Sequence, residues 1–172
     1  CYRFVHSKYL LCEVQCADPC CRPWLEERFL GRLVREAIAR LHGDFGAAAC
    51  AIAFTVKYLN AYTGTVLLRC RRDYYQLLWS TLPFITCLEN KGQRYSCFFN
   101  TLHVGGTIRS CQKFLIQYNS RQLQILLQNC TSEGERESIR KSILSCSLEE
   151  EQEQDELSDS GEETAALKST AS

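Results

Sequence analysis

Asn100-Thr101-Leu102-His103-Val104-Gly105-Gly106-Thr107-Ile108-Arg109 decides how this chain folds. The residues before the glycines read as a strand, and those after them as a helix. Thr107 stands where an N-cap belongs, and Arg109 falls in the first turn. A helix start leaves backbone N–H groups unpaired and carries a partial positive charge, so it suits a phosphate. Gly105 and Gly106 let a ligand come close, and Gly106 is expected to need a backbone angle or a close approach that other residues resist. The simpler reading is a tight strand-to-helix turn with no ligand. The motif lacks the Lys-Ser/Thr of a P-loop, which argues against a nucleotide site.

Working outward, residues 97–104 are rich in aromatic and β-branched residues and form the strand that enters this turn. Residues 108–129 have helical character, with a break expected near Asn119-Ser120. Ser132-x-x-Glu135 reads as a capping box that opens one more helix to about Leu144. Upstream, residues 9–14 are an apolar strand, and Asp18-Pro19-Cys20-Cys21-Arg22-Pro23 is loop chemistry. Residues 24–42 form an amphipathic helix. Leu25, Phe29, Leu33, Ala37 and Leu41 recur every four residues, Leu30, Val34 and Ile38 widen the stripe, and Gly43 ends it. Arg28, Arg32 and Arg35 share the other face, which is either solvated or meets a polyanion.

Residues 52–59 alternate with the period of a strand, and Asn60-Ala61-Tyr62-Thr63-Gly64 turns the chain into a return strand over 65–71. Asp73 is expected to cap a helix from Tyr74 to about Asn90, kinked near Pro83 and closed by Gly92. The order predicts an α+β fold, a ferredoxin-like or RRM-like βαββαβ sandwich with added C-terminal helices. The strand 65–71, where an RNA-recognition motif carries stacking aromatics, reads Thr65-Val66-Leu67-Leu68-Arg69-Cys70-Arg71 and has none. Base stacking on the sheet is therefore unsupported.

The formal net charge of zero conceals segregation. Residues 1–147 carry 19 Lys/Arg against 11 Asp/Glu, a net +8; residues 148–172 carry one Lys against nine Asp/Glu, a net −8. The expectation is one domain over 1–147 and a disordered acidic tail over 148–172. Ser158 and Ser160 sit in an acidic setting and are phosphorylation candidates. A basic body suggests a polyanion-binding surface, although ordinary surface charge explains +8 as simply.

Twelve cysteines raise the disulfide question. Several, including Cys12, Cys50 and Cys70, sit in apolar runs like small core residues, and no secretory signal is visible. Reduced thiols in an intracellular protein are expected. Cys12, Cys16, Cys20 and Cys21 lack the spacing of a zinc site, so no metal is expected. No run is long enough for a membrane span. The chain contains no Met, so either its true start is missing or its gene model is incomplete.

No Ser/His/Asp or Cys/His constellation can be argued from the sequence. His6, His42 and His103 are the only histidines, and His103 reads as a structural strand residue. The candidate RNA-binding residues are Lys57, Arg69, Arg71 and Arg72 along the hairpin, then Gly105, Gly106, Thr107, Arg109 and Lys113 at the turn and helix.

Four blocks carry a family resemblance: Tyr9-Leu10-Leu11-Cys12-Glu13; His42-Gly43-Asp44-Phe45-Gly46-Ala47-Ala48-Ala49-Cys50; Tyr58-Leu59-Asn60-Ala61-Tyr62-Thr63-Gly64-Thr65-Val66-Leu67-Leu68-Arg69-Cys70; and residues 97–119. Over roughly residues 3–150 the chain resembles the small RRM-like protein subunits shared by eukaryotic ribonuclease P and ribonuclease MRP. The resemblance implies a noncatalytic subunit of a nuclear and nucleolar ribonucleoprotein. Its catalytic RNA, with bound Mg2+, removes the 5′ leader of precursor tRNA or cleaves precursor rRNA. The implied partners are that RNA, a TIM-barrel-like protein subunit and further subunits, with no membrane. No cofactor is implied for this chain itself. The alternative is an RNA-free protein–protein adaptor that uses a ferredoxin-like sheet.

Overall fold

The computed structural model describes residues 6–144, which fall into two compact units, one ending at Cys111 and one starting at Gln112. The tail expected at 148–172, with Ser158 and Ser160, lies outside the described residues. The first unit holds β1 (Ser7–Cys16), α1 (Glu27–Ala51), β2 (Thr55–Asn60), β3 (Thr65–Arg71), α2 (Tyr75–Thr81), β4 (Cys87–Asn90) and β5 (Gln93–Gly105). It ends with the first turn of α3 (Ile108–Asn129). The second unit holds the rest of α3 and a helix at 133–144.

The strands form one antiparallel sheet in the order β2-β3-β1-β5-β4. Alternation gives each strand a core side. Leu10, Cys12 and Val14 of β1 and Val66, Leu68 and Cys70 of β3 pack with Leu30, Val34 and Ile38 of α1 and Leu78 of α2. The helices α1 and α2 therefore cover one face. Leu30, Val34 and Ile38 are the centre of the buried stripe, not its margin, while Leu41 stays exposed.

Gly43, at φ 61°, ends the first run of α1 as the sequence suggests, but the chain re-enters a helix through Ala51. The Ala47-Ala48-Ala49 run favours that second segment, and β2 accordingly starts only at Thr55. The largest departure lies at 87–90. A helix to Asn90 was expected; α2 stops at Thr81, a 3-10 turn carries Pro83, and residues 87–90 are strand β4. The Pro ring clashes with a continuing helix, and Leu88 enters the core fully buried. Lys91 and Gly92, at φ 48° and 80°, make a two-residue hairpin turn, so Gly92 closes a hairpin and not a helix. Asp73 does not cap α2; it sits in a 3-10 turn, 3.7 Å from Arg71. Helix α3 runs unbroken through Asn119-Ser120.

Candidate nucleic-acid interface

The sheet face turned away from α1 carries the alternate residues. Register places Thr55, Arg69, Tyr9 and Gly105 in one row across β2, β3, β1 and β5. At about 4.8 Å per strand step, Arg69 and Gly105 stand two steps apart, roughly 10 Å. Arg69 is aimed by its Nε–H, which donates to the Ser7 hydroxyl at 2.9 Å. Ser7 pairs with Arg71 in the next row. The sheet thus brings Arg69 beside the Gly105-Gly106 turn, although 36 positions separate them in sequence.

Thr107 does cap α3: its Oγ1 accepts the Ser110 backbone N–H at 3.1 Å, and the Ser110 hydroxyl donates back to the Thr107 carbonyl at 2.8 Å. The Cys111 thiol donates to the Tyr9 carbonyl at 3.9 Å, tying the first turn of α3 to β1. The special glycine is Gly105, not Gly106. A Cβ on Gly105 would collide with the Ser110 hydroxyl and stand 2.9 Å from the Cys111 sulfur, whereas Gly106 is in open space without positive φ.

The other candidates divide. Arg72 is exposed, and its backbone N–H donates to the His6 carbonyl at 2.9 Å. Arg71 is engaged within the fold. It pairs with Asp73, stacks 5.7 Å from the Tyr74 ring centre, and has a buried Nε with no partner among the described residues. Lys57 is the extra residue of a β-bulge on the outer strand β2, exposed but off the Arg69 row. Lys113 lies one helical turn after Arg109, in the second unit. The basic face of α1 does not act as one surface. Arg35 donates to the Phe54 carbonyl at 3.3 Å and stacks on that ring, while Arg32 pairs with Glu36 at 3.8 Å.

The thiols offer no activated nucleophile among those whose ionisation is shifted. Burial pushes the Cys12, Cys70 and Cys97 thiols up to about 12, and raises Cys111 as well. Among the described residues no three His, Cys, Asp or Glu side chains stand together as a metal site, and no helix is long and apolar enough to cross a membrane.

A model of the Rpp14/Pop5 family matches residues 8–116, from the first strand to the start of α3. The chain belongs to the Rpp14/Pop5 family. It is 72% identical over 165 residues to a Bos taurus ribonuclease P/MRP protein subunit POP5, covering 95% of this chain and 96% of that one. The Homo sapiens protein of the same name is 70% identical over 164 residues, at 95% and 96% coverage. The Danio rerio protein is 51% identical over 161 residues, at 91% and 95%. A chain in a cryo-EM structure of yeast ribonuclease MRP aligns with a TM-score of 0.47 and 10% identity, over 73% of this chain and 99% of that one, too distant a match to carry an argument. The family match spans the Arg69–Gly105 row and the α3 cap.

Proposed function

We propose that this chain is a noncatalytic subunit of the ribonuclease P and ribonuclease MRP ribonucleoproteins. Near-full-length identity of 70% and 72% to proteins named as subunits of that complex carries the reading. The chain works in the nucleus and nucleolus, where it helps hold the catalytic RNA for 5′-leader removal from precursor tRNA and for precursor rRNA cleavage. A ferredoxin-like, RRM-like frame fits the strand order β5-β1-β3-β2 with α1 and α2 on one face. A TIM-barrel-like protein subunit is among its partners, and Mg2+ is held by the RNA.

Its own contribution is positional. Arg69, Arg72 and Arg109, with the α3 N-terminus behind Gly105 and Gly106, offer cationic and N–H groups to phosphates at one end of the sheet face turned away from α1. The contacts position RNA without reading its sequence. The raised thiol values of the core cysteines fit a part that supplies no nucleophile.

The test is purification of the tagged full chain from cells, with sequencing of bound RNA and an assay on precursor tRNA. Recovery of the two catalytic RNAs, with cleavage abolished by removing the RNA, is expected. A nucleic-acid-free complex would favour the adaptor reading. Cleavage by RNA-free protein, abolished by a point mutation in this chain, would overturn the noncatalytic one.

A further inference from the structure

A cleft of about 490 Å3 lies between α1 and β4, apart from the Arg69–Gly105 row. Its lining includes Leu33 and Ala37 of α1 and Ile85 before β4, and Phe84, 66% exposed, stands among its walls. Strand β4 is the last in the sheet and bonds only to β5. The two-residue turn pairs Asn90 with Gln93 and Leu88 with Tyr95, and the Thr86 carbonyl accepts the Cys97 N–H at 2.9 Å. Antiparallel alternation then sends the N–H and C=O groups of Cys87 and Glu89 away from β5, along the open edge. An open edge of this kind is a template for another strand.

The charges select the occupant. Arg40 and Lys91 line the cleft and form no ion pair among the described residues, whereas Arg32 is matched by Glu36 and Arg94 lies opposite Glu89. A nucleic-acid strand would meet the Glu36 and Glu89 carboxylates and leave the outward backbone groups unmatched. An extended polypeptide matches both N–H and C=O and can offer carboxylates to Arg40 and Lys91.

We infer that this cleft receives an extended segment of a protein partner, added as a strand beside β4. Alternate side chains of the segment face the apolar floor of Leu33 and Ile85, and an acidic residue meets Arg40 or Lys91. The source of the segment, another subunit of the ribonucleoprotein, rests on the reading proposed above.

Photo-crosslinking amino acids placed singly at positions 87 and 89 of the tagged full chain test the inference after purification of the assembled complex. Both positions should crosslink to one protein segment, in a register that shifts with the position used. A synthetic peptide of that segment should bind the purified full chain. It should bind about tenfold more weakly to Arg40→Glu and to Glu89→Pro, since Pro removes only an outward N–H. The melting temperatures of both variants should match the parent. Crosslinks to RNA, crosslinks scattered without register, or no crosslink in an intact complex would each overturn the inference. A purified complex without the two catalytic RNAs counts against the subunit reading instead, and the crosslink register still decides the cleft.

Discussion

A Cβ built on Gly105 runs into the Ser110 hydroxyl and stands 2.9 Å from the Cys111 sulfur, while one on Gly106 meets nothing within 4 Å. Gly105→Val should therefore cost about 1–3 kcal/mol by overpacking, and Gly106→Val no more than about 0.5 kcal/mol. Urea unfolding of the two variants checks this, and equal losses would discard the steric account. The arginines separate in the same way. Arg69 is held by one hydroxyl and is half-buried on the face turned away from α1, with no ion pair among the described residues, so Arg69→Ala should lower the slope of log affinity for RNA against log salt by about 0.7–0.9. Arg109→Ala should do likewise. Arg71→Ala should leave that slope alone and lower the melting temperature, because Arg71 is spent on Asp73 and Tyr74. A salt titration across the three variants decides it.

Two glycines set the ends of elements by different means. Gly43 lies at φ 61° and ψ −156° with open space around it, so Gly43→Ala meets only backbone strain and should cost about 1–3 kcal/mol. Gly64 lies at φ 73°, and an added Cβ would collide with the Val14 carbonyl. Its own carbonyl accepts the Val14 N–H at 2.8 Å, so the turn after β2 is bound to β1. Gly64→Ala should be clearly the more damaging of the pair, as denaturant midpoints would show. Elements with a single strong local signal were legible. The Gly43 stop, the Asn60–Gly64 turn and the Thr107 cap each follow from one residue's chemistry. Strand β4 was not legible, because Ile85, Leu88 and the closing Gly92 suit a helix and a hairpin alike. The stop at Pro83 and the burial of Leu88 in the core separate them.

Across the molecule, core thiols from β1, β3 and β5 make stability depend on alkaline pH. Cys12, Cys70 and Cys97 are pushed from an ordinary 9.0 up to about 12, chiefly by burial. The folded state prefers the neutral thiol, so its contribution is complete below about pH 9 and is lost as pH rises toward 12. Each fully buried thiol adds at most about 1.4 kcal/mol per pH unit in that window. Cys12 should lead, being 0% exposed, and Cys12→Ala should flatten the fall in stability between pH 9 and 11. An unchanged slope would remove it from the account. The candidate site was partly legible at this scale. The capped α3 start could be seen in the sequence, but its meeting with Arg69 depends on β1 lying between β3 and β5, which no local pattern specifies. Arg40 and Lys91 were missed because a helix and a hairpin tip converge only in the fold.

The same cysteines are a set of probes already built into the chain. Cys20 is exposed, whereas Cys12 and Cys111 are 0% and 1% exposed. A thiol-specific reagent has direct access to Cys20 and reaches Cys12 and Cys111 only when the surrounding structure opens. No label has to be introduced. The order in which the thiols react ranks the strands by how often each one lets go, and the addition of RNA or a partner subunit would be read as a delay at the strands it holds.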